Sequence, residues 1–136
     1  MPMIPSVLAG AVLATVKVVG YAAFSVGLNR IAARPASPLA FGTVKTALGL
    51  VGGVTYVLVV MQSPRLAGAG TLPFFLGAAP LRLAAWALAL GLFYRRRVSP
   101  RTFLAAIVLG GAWSYALDGM MWVLYDTLPG MEAPWC

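Results

Sequence analysis

Histidine is absent from this chain, and its single cysteine, Cys136, is the last residue. Without histidine the chain lacks the commonest general base and the usual ligands of zinc and of haem iron. A single cysteine also excludes a disulfide within the chain and the redox chemistry of paired thiols. We therefore expect no metal site and no cofactor.

Acidic residues are scarce as well, with three against ten Lys and Arg, and the net charge is +7. In a soluble protein this excess would suggest a nucleic-acid partner. However, 61% of the residues are hydrophobic and 10% are charged, whereas soluble domains carry about 25% charged residues. We expect an integral membrane protein that binds no nucleic acid.

Four apolar stretches are long enough to cross a bilayer, since ~20 apolar residues span its ~30 Å hydrocarbon core. They cover residues of about 6–29, 39–62, 72 or 80 to 94, and 102–125. The first lacks a basic leader and is interrupted by Lys17, so we expect a retained helix rather than a signal peptide. The predicted fold is all-α: one transmembrane domain, residues 1–136, forming a four-helix bundle of two helical hairpins. Residues 126–136 are predicted to be a loop.

The start of the third helix has two interpretations. The helix begins near Leu72 with a kink at Pro80, or it begins at Pro80 and residues 72–79 lie at the interface or re-enter the membrane. We favour the second, because proline fits the first turn of a helix better than its interior. Ser37 and Pro38 give a clearer start to the second helix, as its N-cap and first helical residue.

The loop cations predict the orientation of the chain. Six arginines lie in the first and third loops, against Arg65 alone on the opposite side. The positive-inside rule then places loops one and three in the cytoplasm and both termini outside, in a plasma or inner membrane. The six are also expected to contact anionic lipid head groups: Arg30, Arg34, Arg95, Arg96, Arg97 and Arg101.

Four ionisable residues interrupt the apolar stretches: Lys17, Lys45, Arg82 and the acid Asp118. A charge at such depth costs ~2.5–3.5 kcal/mol on insertion scales, so it needs a partner or a function. Helical rise places Lys17 and Arg82 roughly 20 Å, and Asp118 roughly 25 Å, above the cytoplasmic boundary. We expect these three to form a pocket of net charge +1, suited to an anion or a lipid phosphate. Lys45 lies only roughly 10 Å from that boundary and is expected to stay apart and extend inward.

Further polar residues lie near this predicted pocket. Tyr21 and Ser25 follow Lys17 at i+4 and i+8, and Ser114 precedes Asp118 by one turn, which extends a polar track toward the cytoplasm. Tyr21 is included among the expected ligand-binding residues. An aromatic residue follows Arg82 at i+4 as well, so the two hairpins either form a parallel repeat or match by coincidence.

The alternative to an anion-binding pocket is a purely structural ion pair between Asp118 and Arg82.

Small residues mark the predicted packing faces. Such residues let membrane helices approach closely, and they predict either a contact between helices two and four or a face between protomers. They are Gly42, Thr46, Gly49 and Gly53 on helix two and Gly110 on helix four.

The composition and the charged residues favour a non-enzymatic role. We expect a small transport or channel-like protein, or an accessory subunit, acting as a homo-oligomer or with another membrane protein. One alternative is a membrane-embedded lipid-modifying enzyme in which Lys17 activates Ser25 or Tyr21. The other is a purely structural subunit of a larger membrane complex.

Overall fold

The computed structural model describes residues 3–68 and 70–127, without the side chains of 3–6, 66, 67, 71 and 125. Within these ranges the chain forms helices joined by short turns. The helices are α1 (Met3–Asn29), α2 (Pro38–Met61), α3 (Pro64–Ala67), α4 (Thr71–Gly77), α5 (Ala79–Tyr94) and α6 (Pro100–Thr127).

Four segments are long and apolar enough to cross a membrane, namely Val7–Asn29, Pro38–Met61, Leu72–Tyr94 and Pro100–Leu124. The predicted all-α bundle of four membrane-spanning helices is therefore confirmed. The predicted N-cap of α2 is also observed, because the Ser37 hydroxyl accepts a hydrogen bond from the Ala40 backbone N–H at 3.3 Å. The prediction of a loop from residue 126 is wrong for Asp126 and Thr127, which are the last residues of α6, and the rest of the predicted tail lies outside the described residues.

The four long helices form a ring of neighbours. Helix α1 packs along α2, α2 along α5, and α5 along α6, while α6 returns to α1 through a thinner contact. Helices α2 and α6 are not among these packed pairs, so the structure does not show the first of the two alternatives for the small residues, a contact of helix two with helix four. The small residues serve other pairs: Gly42 lies against the backbone of Val18 on α1, and Gly110 lies against the Trp86 ring on α5.

The ends of the bundle near loops one and three are joined by hydrogen bonds. The Asn29 side chain holds Ala36 through two bonds, from its Nδ2 to the Ala36 carbonyl (2.8 Å) and from the Ala36 N–H to its Oδ1 (2.9 Å). Arg97 then links the two loops: its carbonyl accepts from the Ala33 N–H at 2.8 Å, and its Nη1 donates to the Pro35 carbonyl at 2.8 Å. Both arginine-bearing loops therefore lie at the same end.

The helical path changes at Ala78, between α4 and α5. Helix α5 begins at Ala79 with Pro80 in its first turn, as expected, but residues 71–77 form a separate short helix. The break frees backbone carbonyls, which must find donors inside a membrane. The Tyr56 hydroxyl donates to the Phe74 carbonyl at 2.6 Å, and the Tyr115 hydroxyl donates to the Phe75 carbonyl at 2.8 Å. Tyrosines of α2 and α6 thus anchor α4.

Trp86 occupies the centre of the bundle and is fully buried. Its ring meets Tyr21 edge-on at a centroid distance of 5.5 Å and Phe24 at 4.8 Å. Such aromatic pairs each add about 0.5–1.5 kcal/mol beyond the burial of their area. Gly110 leaves the space that this ring fills, since a Cβ there would collide with the indole. The core is therefore built around one large side chain, and the charged residues lie beside it.

Candidate functional site

The carboxylate of Asp118 joins three helices. Lys17 Nζ of α1 lies 2.7 Å from one carboxylate oxygen, and Arg82 Nη2 of α5 lies 2.5 Å from the other. The side chains of Lys17, Arg82 and Asp118 are 18%, 20% and 17% exposed. The structure thus brings together the three residues that helical rise placed at similar depth, and each oxygen of the carboxylate has its own cation.

The expectation for Lys45 is wrong. Its side chain is 2% exposed, and its ammonium lies 4.7 Å from the centre of the Tyr21 ring and 5.0 Å from that of Trp86. A Cβ added at Gly49 would lie 3.8 Å from Lys45 Nζ. Because Gly49 is one turn nearer the C-terminus of α2, the side chain extends away from loop one. It enters the core and does not reach toward the nearer membrane surface.

Lys45 changes the charge of the cluster. We define the cation cluster as Lys17, Lys45, Arg82 and Asp118, because Lys45 contacts Tyr21 and Trp86, which lie one helical turn from Lys17 and Arg82. The formal sum is +3 −1 = +2. Within the described part of the chain, no carboxylate oxygen lies within 4.0 Å of Lys45. The cluster therefore has more positive charge than the expected pocket of three residues.

A second polar level lies one helical turn from Asp118. The Ser114 hydroxyl accepts a hydrogen bond from Trp86 Nε1 at 2.9 Å and shares another with the Tyr21 hydroxyl at 3.2 Å. Residues Lys17 and Tyr21 on α1, and Arg82 and Trp86 on α5, thus approach Asp118 and Ser114 as parallel pairs. The i+4 repeat of cation and aromatic residue gives α1 and α5 equivalent contacts to one face of α6.

A third polar level continues toward loop one. The hydroxyls of Ser25 and Tyr94 lie 2.6 Å apart, and the Tyr94 hydroxyl also donates to Asn29 Oδ1 at 2.7 Å. Sequence reasoning placed Ser25 on this track but missed Tyr94 and Asn29. The signal was available for both, because Tyr94 ends α5 and Asn29 ends α1 on the side of the two arginine-rich loops.

On the side away from loops one and three, Tyr115 and α4 cover the cluster. The Arg82 guanidinium carbon lies 4.4 Å from the centre of the Tyr115 ring, and the Tyr115 hydroxyl holds the Phe75 carbonyl. Two buried polar atoms, Arg82 Nε and Thr46 Oγ1, have no hydrogen-bond partner among the described residues. Arg82 therefore contributes an unused donor to the cluster in addition to its ion pair.

Of the other small residues predicted to pack helix two, one is buried in the bundle and another is exposed. Thr46 is buried, and Gly49 leaves room for Lys45. A Cβ at Gly53 would meet no atom within 4 Å, so this glycine lies outside the helix contacts of the described chain. The interpretation of the α2 glycines as a face between protomers stays a prediction.

Within the described residues, no three His, Cys, Asp or Glu side chains come together as metal ligands would. Comparison of the chain with protein-family models, with curated proteins and with solved structures gave no match. The fold defines the class of the molecule: a small, multi-pass, all-helical membrane protein. Its distinguishing internal feature is the cation cluster.

Replacing Asp118 by Asn should destabilise the bundle. The amide keeps the shape of the side chain but leaves Lys17 and Arg82 without a counter-charge in an apolar setting. Breaking a buried ion pair costs 3–5 kcal/mol, and partial exposure of these groups lowers our expectation to about 2–3 kcal/mol. Unfolding by denaturant in detergent micelles measures the loss.

Asp126→Asn is the matched control, because Asp126 lies on the same helix and is exposed. We expect it to change the free energy of unfolding by less than about 0.5 kcal/mol. Equal effects of the two substitutions would contradict a stabilising role for the Asp118 ion pairs.

Proposed function

We propose that this membrane protein binds an anion at its cation cluster. The proposal is carried by one observation: buried Lys45 has no carboxylate within 4.0 Å among the described residues and packs on Tyr21 and Trp86, one turn from the two cations that share Asp118. A ligand with negative charge would supply what the described chain does not. A lipid phosphate, an acidic metabolite and a halide all have the required charge.

The protein groups around Lys45 compensate its charge only in part. Contact with the rings of Tyr21 and Trp86 is worth about 0.5–2 kcal/mol, whereas a lysine at the centre of a membrane helix costs ~2.5–3.5 kcal/mol. Lys17 and Arg82 add repulsion to this balance. A bound anion would offset both the desolvation of Lys45 and the repulsion among the three cations.

Hydrogen-bonding capacity supports the same proposal. Arg82 Nε is a buried donor without an acceptor among the described residues. Buried donors are nearly always paired, and an unpaired one costs about 1–3 kcal/mol. An anion accepts several such bonds at once, and charge-assisted bonds are roughly twice as strong as neutral ones.

The role that we infer from such a site is non-enzymatic: transport or channel-like activity, or service as an accessory subunit. The polar levels from Asp118 to Asn29 support a path for a charged ligand along α1. The enzyme alternative has less support, because the Ser25 and Tyr21 hydroxyls bond to Tyr94 and Ser114 rather than to Lys17. A homo-oligomeric state belongs to the proposal, since four short helices enclose little space.

A purely structural role is the second candidate function. It is favoured by the full use of the Asp118 carboxylate, whose two oxygens each bind one cation. In that case the cluster fixes the register of α1, α5 and α6, and Lys45 is held by its aromatic neighbours alone.

Native mass spectrometry of the protein released gently from its own membrane tests the proposal. Wild-type protein should retain an acidic molecule, and Lys45→Met, which keeps the length of the side chain without its charge, should lose most of it. The exposed loop variant Arg34→Met is the matched control and should retain the adduct.

The same set and number of acidic adducts on wild type and on Lys45→Met, or no acidic adduct on either, would overturn the anion-site proposal. If the cluster has a purely structural role, we expect no acidic adduct on either protein. A structural role also predicts that Lys45→Met leaves the protein at least as stable as the wild type, because an unpaired buried charge has been removed.

We also propose the orientation inferred from the arginines, with loops one and three in the cytoplasm of a plasma membrane. The contact between Ala33 and Arg97 supports a common side for these loops. In intact cells, a membrane-impermeant maleimide should label the native Cys136. Ala33→Cys in a Cys136→Ser background should react only after permeabilisation. The reverse pattern would invert the topology.

A further inference from the structure

An apolar groove lies on the outside of the bundle, between α1 and α6, where these helices make their thin contact. It has a volume of about 540 Å³ and is lined by Ala23 and Gly27 on α1, by Ile31 in loop one, and by Ala105, Leu109 and Trp113 on α6, among others. A Cβ at Gly27 would meet no atom within 4 Å. The groove is separate from the cation cluster and does not depend on the anion proposal.

We propose that this groove holds one acyl chain of an anionic phospholipid, whose phosphate lies between Arg30 and Arg101. Two features of the groove carry the proposal: its length and position along the helices, and the charges at one of its ends.

The length of the groove matches one leaflet. Along α6 the groove runs from Thr102 to Trp113, about 16 Å at 1.5 Å per residue, and its other side is lined from Ala23 of α1 to Ile31 in loop one. Half of a hydrocarbon core of ~30 Å is about 15 Å. The groove starts beside the arginine-rich loops and ends where Trp113 Nε1 donates to the Gly20 carbonyl at 2.9 Å. An acyl chain that begins at the head-group level would therefore end there.

The charges at the entrance suit a phosphate. Arg30 lies in the turn that ends α1, where its N–H donates to the Gly27 carbonyl at 3.2 Å, and Arg101 precedes Ala105 by one turn of α6, so both arginines lie at the loop end of the groove. Both are exposed. Among the described residues neither has a carboxylate within 4.0 Å, and Arg97, by contrast, is bound to Pro35. Two free arginines beside an apolar channel of leaflet length match the two parts of an anionic lipid.

Titration of the purified full-length protein with phosphatidylglycerol and with phosphatidylcholine, followed by native mass spectrometry, tests this site. At its tightest site, the wild-type protein should bind phosphatidylglycerol with a clearly higher affinity than phosphatidylcholine. Each cation near a membrane surface contributes about 1 kcal/mol to binding acidic lipid. Arg30→Gln with Arg101→Gln should therefore weaken the tightest phosphatidylglycerol site at least about tenfold.

Three further variants distinguish binding in the groove from a general effect of the positive charge. Gly27→Leu should also lose the tightest lipid, because its side chain would fill the groove, whereas Gly53→Leu on open α2 surface should keep it. Arg95→Gln with Arg96→Gln removes the same charge from the same end, away from the groove, and should weaken the site less than about twofold.

Several results would overturn the lipid site. The lipid could be retained in both the arginine and the Gly27 variants, or lost equally when Arg95 and Arg96 are replaced. Conversion of a dimer into a monomer by Gly27→Leu, with lipid binding unchanged, would show that a second copy occupies the groove. Because Lys45→Met leaves the groove intact, failure of either proposal is distinguishable from failure of the other.

Discussion

In the part of the chain that the structure describes, three cations and one carboxylate lie inside the bundle, and this imbalance of charge determines how the helices align. Asp118 of α6 binds Lys17 of α1 on one oxygen and Arg82 of α5 on the other, and so fixes three helices at one height. Lys45 of α2 receives no share of it. Since apolar side chains give membrane helices no hydrophobic drive to associate in lipid, such polar contacts do much to decide how these helices align.

Two aromatic residues partly stabilise the excess positive charge. Tyr21 and Trp86 place their rings beside the Lys45 ammonium, while their polar atoms meet at the Ser114 hydroxyl. Trp86 does so in the space left by Gly110. One layer thus combines packing, hydrogen bonding and partial compensation of charge. This layer packs against the cation cluster but does not neutralise its charge. The anion proposal rests on the positive charge that remains.

The sequence predicted the spans and the meeting of Lys17, Arg82 and Asp118, because apolar length and helical rise determine both. The position of Lys45 was missed, because side chains on a helix lean toward its N-terminus by default, and the space over Gly49 reverses this. The partner of Gly42 was also missed. A glycine indicates that another helix packs closely at its position, but it does not identify that helix. The partner depends on the order in which the four long helices are arranged in the bundle. Helix α4 depends on Tyr56 and Tyr115, which are distant in the chain.

The most direct measurement is a crystal structure of the protein grown in a lipid phase with bromide and recorded at the bromine absorption edge. If the cation cluster has uncompensated positive charge, an anomalous peak should lie in contact with Lys45 Nζ, on the side shared with Lys17 and Arg82. Peaks confined to the loop arginines, with Lys45 held only by the rings of Tyr21 and Trp86, would contradict this account and leave the cluster a structural device.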